Sequence, residues 1–143
     1  MFVIIMGCGR VGARLARMLI ASGHEVTIMD VSSSAFSRLG SDLGAATILG
    51  DGTDQEVLKR AGIERADAFV AATQGDNRNI MSSQIAKHVF GVKHVVTRIY
   101  DPLRSDTFSD LGLRAISPTI IGANAFFEEL TGQTAPPGGR VAC

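Results

Sequence analysis

The residues with the clearest chemical meaning form a glycine-rich turn near the start of the chain. The spacing is G-x-G-x-x-G, and its six residues are Gly7, Cys8, Gly9, Arg10, Val11 and Gly12. In this spacing the first glycine permits a tight turn, the second lets the backbone approach a pyrophosphate, and the third lets a helix pack against a strand. The N–H groups and dipole of that helix then face the anion. The motif therefore predicts a site for the phosphates of a dinucleotide.

An acidic residue, Asp30, closes the next predicted strand, which begins at Glu25. A carboxylate at this position accepts hydrogen bonds from the 2′-hydroxyl of an adenosine ribose and repels a 2′-phosphate. We therefore expect NAD-type or adenine nucleotides in preference to NADP. The alternative is a solvated aspartate that caps the turn at Ser32–Ser34.

Further polar residues follow the third and fourth predicted strands. Asp51 is expected either beside the adenine or as a turn-forming residue, with Thr53 as the cap of the next helix. Thr73 is expected to line the phosphate and ribose region, across the crevice from the glycine turn. Asp76 is predicted to be a helix N-cap. Asn79 either faces the crevice or caps neighbouring backbone.

Arg98 interrupts an otherwise apolar and β-branched run, Val95 to Ile99. A charge within a buried strand needs a partner. Arg98 therefore either meets a ligand phosphate at the mouth of the strand or pairs with a carboxylate such as Asp101.

The sequence favours neither a metal site nor a nucleophilic catalyst. Cys8 stands between two glycines and is expected to be a small packed side chain. The three histidines are far apart and fall in a turn, a helix and the start of a strand, at His24, His88 and His94. We therefore predict no metal and no catalytic residue.

Alternating strands and helices must position these residues. Strands are expected at 2–6, 25–30, 46–51, 67–72, 94–100 and 114–117. Helices are expected at about 10–22, 33–43, 53–62, 76–90, 103–111 and 118–130, with Pro118 in the first turn of the last one. Nearly continuous apolar strands between helices are typical of a parallel sheet covered on both faces. Right-handed crossovers then predict a Rossmann-like, doubly wound α/β fold with strand order 3-2-1-4-5-6 and a crevice at the carboxyl ends of strands 1 and 4.

The composition agrees with one compact domain. The 143 residues are 45% hydrophobic and 20% charged, and 14 basic residues balance 14 acidic ones. A net charge of zero argues against nucleic acid as a partner. No signal peptide or membrane-spanning run is visible, so we expect a cytoplasmic protein. The predicted domain is residues 1–131, followed by a Pro/Gly-rich tail or linker stub at 132–143.

The combined motifs resemble the RCK/KTN family, the regulators of potassium conductance with a Trk-type N-terminal nucleotide-binding domain. The resemblance covers about residues 1–130 and rests on the glycine motif, Asp30, Gly50-Asp51, Ala72-Thr73, Asp76, Asn79 and Arg98 before Asp101-Pro102. It implies a regulatory domain at the inner face of the membrane that binds NAD(H), ATP or ADP and gates a potassium channel or transporter. It also implies a homodimer or a larger ring-like oligomer.

The resemblance assigns roles to single residues. It implies that Gly7, Gly9 and Gly12 form the phosphate loop and that Asp30 binds the ribose. It implies that the pocket also contains Asp51, Thr73 and Arg98, and that Arg98 meets ligand phosphate. It further implies that the last helix, with Phe126 and Phe127, crosses to a neighbouring subunit. Packing in the domain's own core is the alternative for that helix.

An NAD-dependent oxidoreductase domain is the alternative function. Such an enzyme needs an acid or base beside the nicotinamide and a pocket for its substrate. The only tyrosine, Tyr100, is followed four residues later by Arg104, so the Tyr-x-x-x-Lys pair of short-chain dehydrogenases is missing. We therefore expect a nucleotide sensor that is not an enzyme.

Overall fold

The fold is a six-stranded, all-parallel sheet with helices on both faces. It was obtained as a computed structural model, which describes residues 1–101, 103–104, 108 and 112–137. The strands are β1 (Phe2–Met6), β2 (Glu25–Asp30), β3 (Ala46–Leu49), β4 (Ala68–Ala71), β5 (His94–Arg98) and β6 (Arg114–Ile116). Their order is β3-β2-β1-β4-β5-β6, and each neighbouring pair is parallel. The predicted doubly wound, Rossmann-like class is confirmed.

The helices whose bounds fall within the described residues alternate with the strands or follow the last one, and short 3₁₀ segments lie at Ser33–Leu39 and Ile63–Arg65. The helices are α1 (Arg10–Ala21), α2 (Gln55–Arg60), α3 (Asp76–Gln84), which continues as a π-helical turn at Ile85–Val89, and α4 (Pro118–Thr131). Ser117 caps α4, because its side chain accepts from the N–H of Ile120, and Pro118 occupies the first turn as predicted.

Alternate side chains of the central strand β1 enter two separate cores. Ile4 and Met6 pack with Leu58 and Phe69 on one face of the sheet. Ile5 belongs to the second cluster, which contains Cys8, Ala13, Ala16 and Ile28. Every residue of β1 is buried. Because both faces are covered, only the ends of the sheet remain open to a ligand.

Several predicted boundaries were wrong by a few residues. Strands 3, 4 and 5 end one or two residues earlier than predicted, and the segment from Ser33 ends at Leu39, before Gly40 with φ of +76°. Of the predicted helix at 103–111, most residues lie outside the described part of the chain. The predicted tail is described only as far as residue 137, and the division at residue 131 stays a prediction.

Two predicted helix caps were also wrong. Asp54, and not Thr53, caps α2, because its carboxylate accepts from the N–H of Glu56 at 2.9 Å. Gly75 is the N-cap of α3, and Asp76 is the first residue inside that helix. Both predicted caps have other partners: the hydroxyl of Thr53 donates to Asp51 in the same turn, and the carboxylate of Asp76 accepts from the segment after β5.

Candidate functional site

A cleft of about 560 Å³ opens at the carboxyl ends of the central strands. Its lining includes nine of the predicted binding residues, namely Gly7, Cys8, Gly9, Arg10, Val11, Asp30, Asp51, Thr73 and Arg98. The tenth, Gly12, is absent from that lining and packs behind the turn. The sheet therefore brings side chains from the ends of five segments of sequence into one site.

The three motif glycines occupy three different environments. Gly7 has φ of +108°, and a Cβ there would come within 2.9 Å of the backbone of Ala72 and Thr73. A Cβ on Gly12 would overlap the carbonyl oxygen of Gly7. A Cβ on Gly9, the N-cap of α1, would meet no atom of the described chain within 4 Å beyond the two neighbours of Gly9. Gly7 and Gly12 thus permit close backbone packing, whereas Gly9 keeps space open in front of the helix terminus.

Asp30 connects the end of β2 to the glycine turn. One carboxylate oxygen accepts from the N–H of Cys8 at 2.8 Å, and the other accepts from the N–H of Ser32 at 2.9 Å. The turn-capping role considered for Asp30 is therefore present. Each oxygen has a further lone pair, and Asp30 lines the cleft, so this carboxylate can also accept from a hydroxyl group of a ligand.

Cys8 is a packed side chain behind the turn. Its thiol is fully buried and donates to the carbonyl oxygen of Ala35 at 3.4 Å. Burial, and secondarily the nearby Asp30 carboxylate, raises the pKa of the Cys8 thiol. A protonated, buried thiol is a poor nucleophile, as the position between two glycines led us to expect.

Asp51 is held in its turn by Thr53. One carboxylate oxygen accepts from both the N–H and the hydroxyl of Thr53, at 3.0 and 2.9 Å. These hydrogen bonds, led by that from the N–H, lower the pKa of Asp51. The other oxygen lies 4.0 Å from Nε of Arg78, on the first turn of α3. The turn-forming role is therefore present, and the ionised carboxylate faces a cation in the cleft.

Asn79 joins the ends of β4 and β5. It is fully buried, and its Oδ1 accepts from the N–H and the hydroxyl of Thr73, at 3.0 and 2.6 Å. Its Nδ2 donates to the carbonyl oxygens of Thr73 and Arg98, at 2.9 and 3.0 Å. Of the two roles considered, the capping of neighbouring backbone is the one observed. Asn79 thereby fixes the positions from which Thr73 and Arg98 reach the cleft.

Arg98 reaches the cleft without a carboxylate partner among the described residues. Its guanidinium donates to the carbonyl oxygen of Ala72 at 3.2 Å and lies over the ring of Tyr100, 4.1 Å from the centroid. Its Nε is buried and has no hydrogen-bond partner within the described chain. Burial lowers the pKa of Arg98, an effect that Asp76 partly offsets. Asp101, the predicted structural partner, instead lies 3.9 Å from Arg104.

The segment that follows β5 is held on two sides. The carboxylate of Asp76 accepts from the N–H groups of Tyr100 and Asp101, at 2.8 and 3.1 Å. The hydroxyl of Thr119, in the first turn of α4, donates to the carbonyl oxygen of Tyr100 at 3.0 Å. The wall of the cleft that carries Arg98 is therefore bonded directly to the start of α4.

Sequence reasoning missed part of the lining. The additional polar residues are Ser32, Ser34, Arg38, Gln74, Arg78 and Tyr100. Arg38 and Arg78 matter most, because with Arg10 and Arg98 they place four guanidinium groups around one cleft. Arginine forms paired, charge-assisted hydrogen bonds with phosphate. Arg38 and Arg78 lie in the segments that follow β2 and β4, and this position in the sequence was the available signal. It was a weak one, because the side chain of an exposed arginine usually contacts only solvent.

The described residues contain no group of three or more His, Cys, Asp and Glu placed to hold a metal ion. None of their helices is both long enough and apolar enough to cross a bilayer.

Comparison with known proteins identifies the family. Residues 3–118 match the model of the TrkA-N domain. This chain belongs to the TrkA-N family. Over 137 residues, the TrkA-N chain is 42% identical to the Trk system potassium uptake protein TrkA of Streptomyces coelicolor. That match covers 96% of the chain but 61% of the relative, so the chain spans about three fifths of the length of this relative.

Two solved structures of GsuK share the fold of the TrkA-N chain. The crystal structure of GsuK bound to ADP superposes with a TM-score of 0.79 at 25% identity, covering 92% of this chain and 34% of that one. The GsuK channel bound to NAD superposes with a TM-score of 0.79 at 25% identity, covering 90% and 23%. In both structures GsuK holds a nucleotide that contains adenine.

Proposed function

We propose that this TrkA-N chain is a nucleotide-binding regulatory domain of a potassium transport system, and that its cleft binds NAD(H), ATP or ADP. One observation carries the proposal: the open terminus of α1 at Gly9 and the Nε of Arg98, which has no partner among the described residues, line the same cleft. Both features suit a phosphate anion. The names of the Trk relative and of the two GsuK structures support the same class of ligand and process.

The proposed ligand lies across the carboxyl ends of β1, β2 and β4. The pyrophosphate rests on the turn from Gly7 to Gly12, with Cys8, Arg10 and Val11 around it. The adenosine ribose bonds to Asp30, and the adenine lies towards Asp51. Thr73 lines the phosphate and ribose region from the opposite wall, and Arg98 binds the phosphate farthest from the adenosine. Apart from Gly12, all of these residues line the cleft, which supports the proposed arrangement.

Selection by Asp30 provides the experiment for this arrangement. In a thermal unfolding assay, NAD should raise the midpoint Tm of the wild-type chain, and NADP should raise it much less, because a carboxylate repels a 2′-phosphate. In Asp30→Asn the ratio of NAD to NADP affinity should fall about tenfold, which corresponds to roughly 1.4 kcal/mol. An exposed carboxylate outside the cleft, Glu64, supplies the matched control Glu64→Gln.

An unchanged ratio in Asp30→Asn would remove Asp30 from the ribose site. Loss of binding to both nucleotides, in a variant that unfolds at the wild-type midpoint, would show that Asp30 acts mainly by holding the N–H groups of Cys8 and Ser32. The Glu64→Gln control should keep the wild-type preference, since its charge change is the same but its side chain does not line the cleft.

We propose a sensor and not an enzyme. A dehydrogenase requires a proton donor or acceptor beside the nicotinamide. The thiol of Cys8 is buried, and Tyr100 lies beneath the guanidinium of Arg98 and has no lysine four residues on. The proposed domain therefore holds its nucleotide without consuming it and, at the inner face of the membrane, passes the bound state to a channel or transporter subunit. Oxidation of NADH in the presence of a substrate would favour the oxidoreductase alternative.

We propose that α4 forms the contact between two subunits. No residue of this 14-residue helix is buried, although it carries Ile121, Phe126 and Leu130 at 58%, 74% and 84% exposure. Phe126 and Leu130 are four residues apart and so share one face of the helix, and an exposed apolar face of this kind is typical of an interface. The start of the helix is bonded to the cleft wall through Thr119, so a partner on α4 would adjoin the nucleotide site. An oligomer larger than a dimer would need a second contact surface on each subunit.

The substitution Phe126→Glu should weaken self-association at least tenfold. A charge buried in a dimer interface loses hydration without gaining a partner. Sedimentation equilibrium of the two proteins measures this dissociation constant directly. Glu129→Gln, an exposed change on the same helix, is the control and should leave association close to the wild-type value. A monomeric wild-type chain, or equal dissociation constants for Phe126→Glu and wild type, would overturn the proposed contact.

A further inference from the structure

A second cavity lies at the opposite end of the sheet from the nucleotide cleft. Its volume is about 350 Å³, and it is lined by Lys87, Lys93, His94, Val95, Val96, Gly112 and Arg114. Four of these seven residues are basic, and none is acidic. The chain as a whole has a net charge of zero, so this lining concentrates positive charge locally.

The parallel sheet explains why the cations meet there. His94 begins β5 and Lys93 precedes it, whereas Arg114 begins β6. Because Val96 is paired with Arg114 in the register, the amino ends of these neighbouring strands lie side by side. The nucleotide cleft is at the carboxyl ends, so one ligand cannot occupy both places.

Lys87 enters the same cavity from the π-helical turn that follows α3. Its ammonium group donates to the carbonyl oxygen of Gly112. Gly112 has φ of +74°, and a Cβ there would come 2.8 Å from Nζ of Lys87. The glycine therefore leaves the space that the lysine occupies. Lys87 is thereby fixed at the wall of the cavity, which reduces the side-chain entropy lost when an anion binds.

We propose that this basic cavity binds a phosphate group, carried by a phospholipid headgroup or by a soluble phosphate ester. Two ammonium groups and a guanidinium match the charge of a phosphate or diphosphate better than that of a single carboxylate. The volume leaves room for more than one anionic group. The site shares no lining residue with the nucleotide cleft, so it is independent of the function proposed above.

The test uses the full chain with pyrophosphate as the soluble probe. Because pyrophosphate can also enter the nucleotide cleft, binding is followed by the NMR shifts of the amides of Val95, Val96 and Gly112, with Gly9 reporting on the cleft. The variant Lys93→Gln/Arg114→Gln should weaken binding at the first three amides at least tenfold and leave the response of Gly9 unchanged. The control Lys59→Gln/Arg60→Gln removes the same charge from exposed positions on α2 and should leave all four responses unchanged.

A second arm distinguishes the two sources of phosphate. The chain is sedimented with phosphatidylcholine vesicles that contain or lack 30% phosphatidic acid. If the double variant no longer sediments with the vesicles that contain phosphatidic acid, whereas the control still does, the site binds a lipid headgroup. Pyrophosphate binding at the three amides without sedimentation assigns it to a soluble ester. If the wild type neither sediments nor shows these shifts, or if the double variant responds like wild type in both arms, the proposal is wrong.

Discussion

Nucleotide binding should fall at least about a hundredfold in Gly9→Ala, a loss of roughly 2.7 kcal/mol, while the fold persists. Beyond its own chain neighbours, the new methyl group would meet no atom of the described residues within 4 Å, and φ of −80° suits alanine. It would instead stand where the backbone must approach a pyrophosphate. Replacing glycine at a helix N-cap costs less than about 1 kcal/mol. Titration calorimetry with ADP and urea unfolding measure the two effects separately.

Gly12→Ala is the matched comparison, because the same methyl group is added three residues later. There it would overlap the carbonyl oxygen of Gly7, so the helix and the turn must separate. We expect a loss of about 3 kcal/mol in the free energy of unfolding, as for a severely overpacked site. Wild-type ADP affinity in Gly9→Ala would contradict the placement of the phosphates, whatever the stability of Gly12→Ala.

Arg98→Ala should weaken ADP binding about thirtyfold and AMP binding less than threefold. A guanidinium that donates to a phosphate contributes roughly 1.5–3 kcal/mol, and AMP lacks the phosphate that Arg98 is proposed to bind. The buried Nε of Arg98 has no partner among the described residues, so a phosphate would also remove the cost of an unsatisfied donor. Calorimetry with both nucleotides gives the ratio.

The control for Arg98 is Arg104→Ala. Arg104 bonds to Asn77 and lies near Asp101 at the surface, outside the cleft lining, so both affinities should remain close to wild type. Equal losses of ADP and AMP in Arg98→Ala would mean that Arg98 acts through its contacts with Ala72 and Tyr100, by shaping the wall, and not through the second phosphate.

The sheet could be predicted because its information is local. Short apolar runs such as Phe2–Met6 alternate with amphipathic segments. Because the crossover between two parallel strands is right-handed, few topologies are then possible. The cleft followed from the same step, since the carboxyl ends of parallel strands share one edge. For this reason the turn that begins at Gly7 could be placed beside Asp30 from the sequence, whereas the residues alone left two roles open for Arg98.

The partners of the side chains could not be predicted, because they depend on contacts between distant segments. Asp76 has the sequence context of an N-cap, yet its carboxylate bonds to the N–H groups of Tyr100 and Asp101. Thr53 does not cap α2 because its hydroxyl donates to Asp51 instead, and this hydrogen bond could not be predicted from the sequence. The cations Arg38 and Arg78 were missed because helix rotation alone decides whether such residues face a cleft.

Titration calorimetry of the wild-type chain with ADP and with NAD tests the central claim most directly. We predict saturable binding of one nucleotide per chain, and chromatography of the mixture afterwards should recover that nucleotide chemically unchanged. The absence of binding heat for ADP, ATP, NAD and NADH across temperatures, with the protein folded by circular dichroism, would contradict the account. Recovery of a converted nucleotide would contradict its non-enzymatic part.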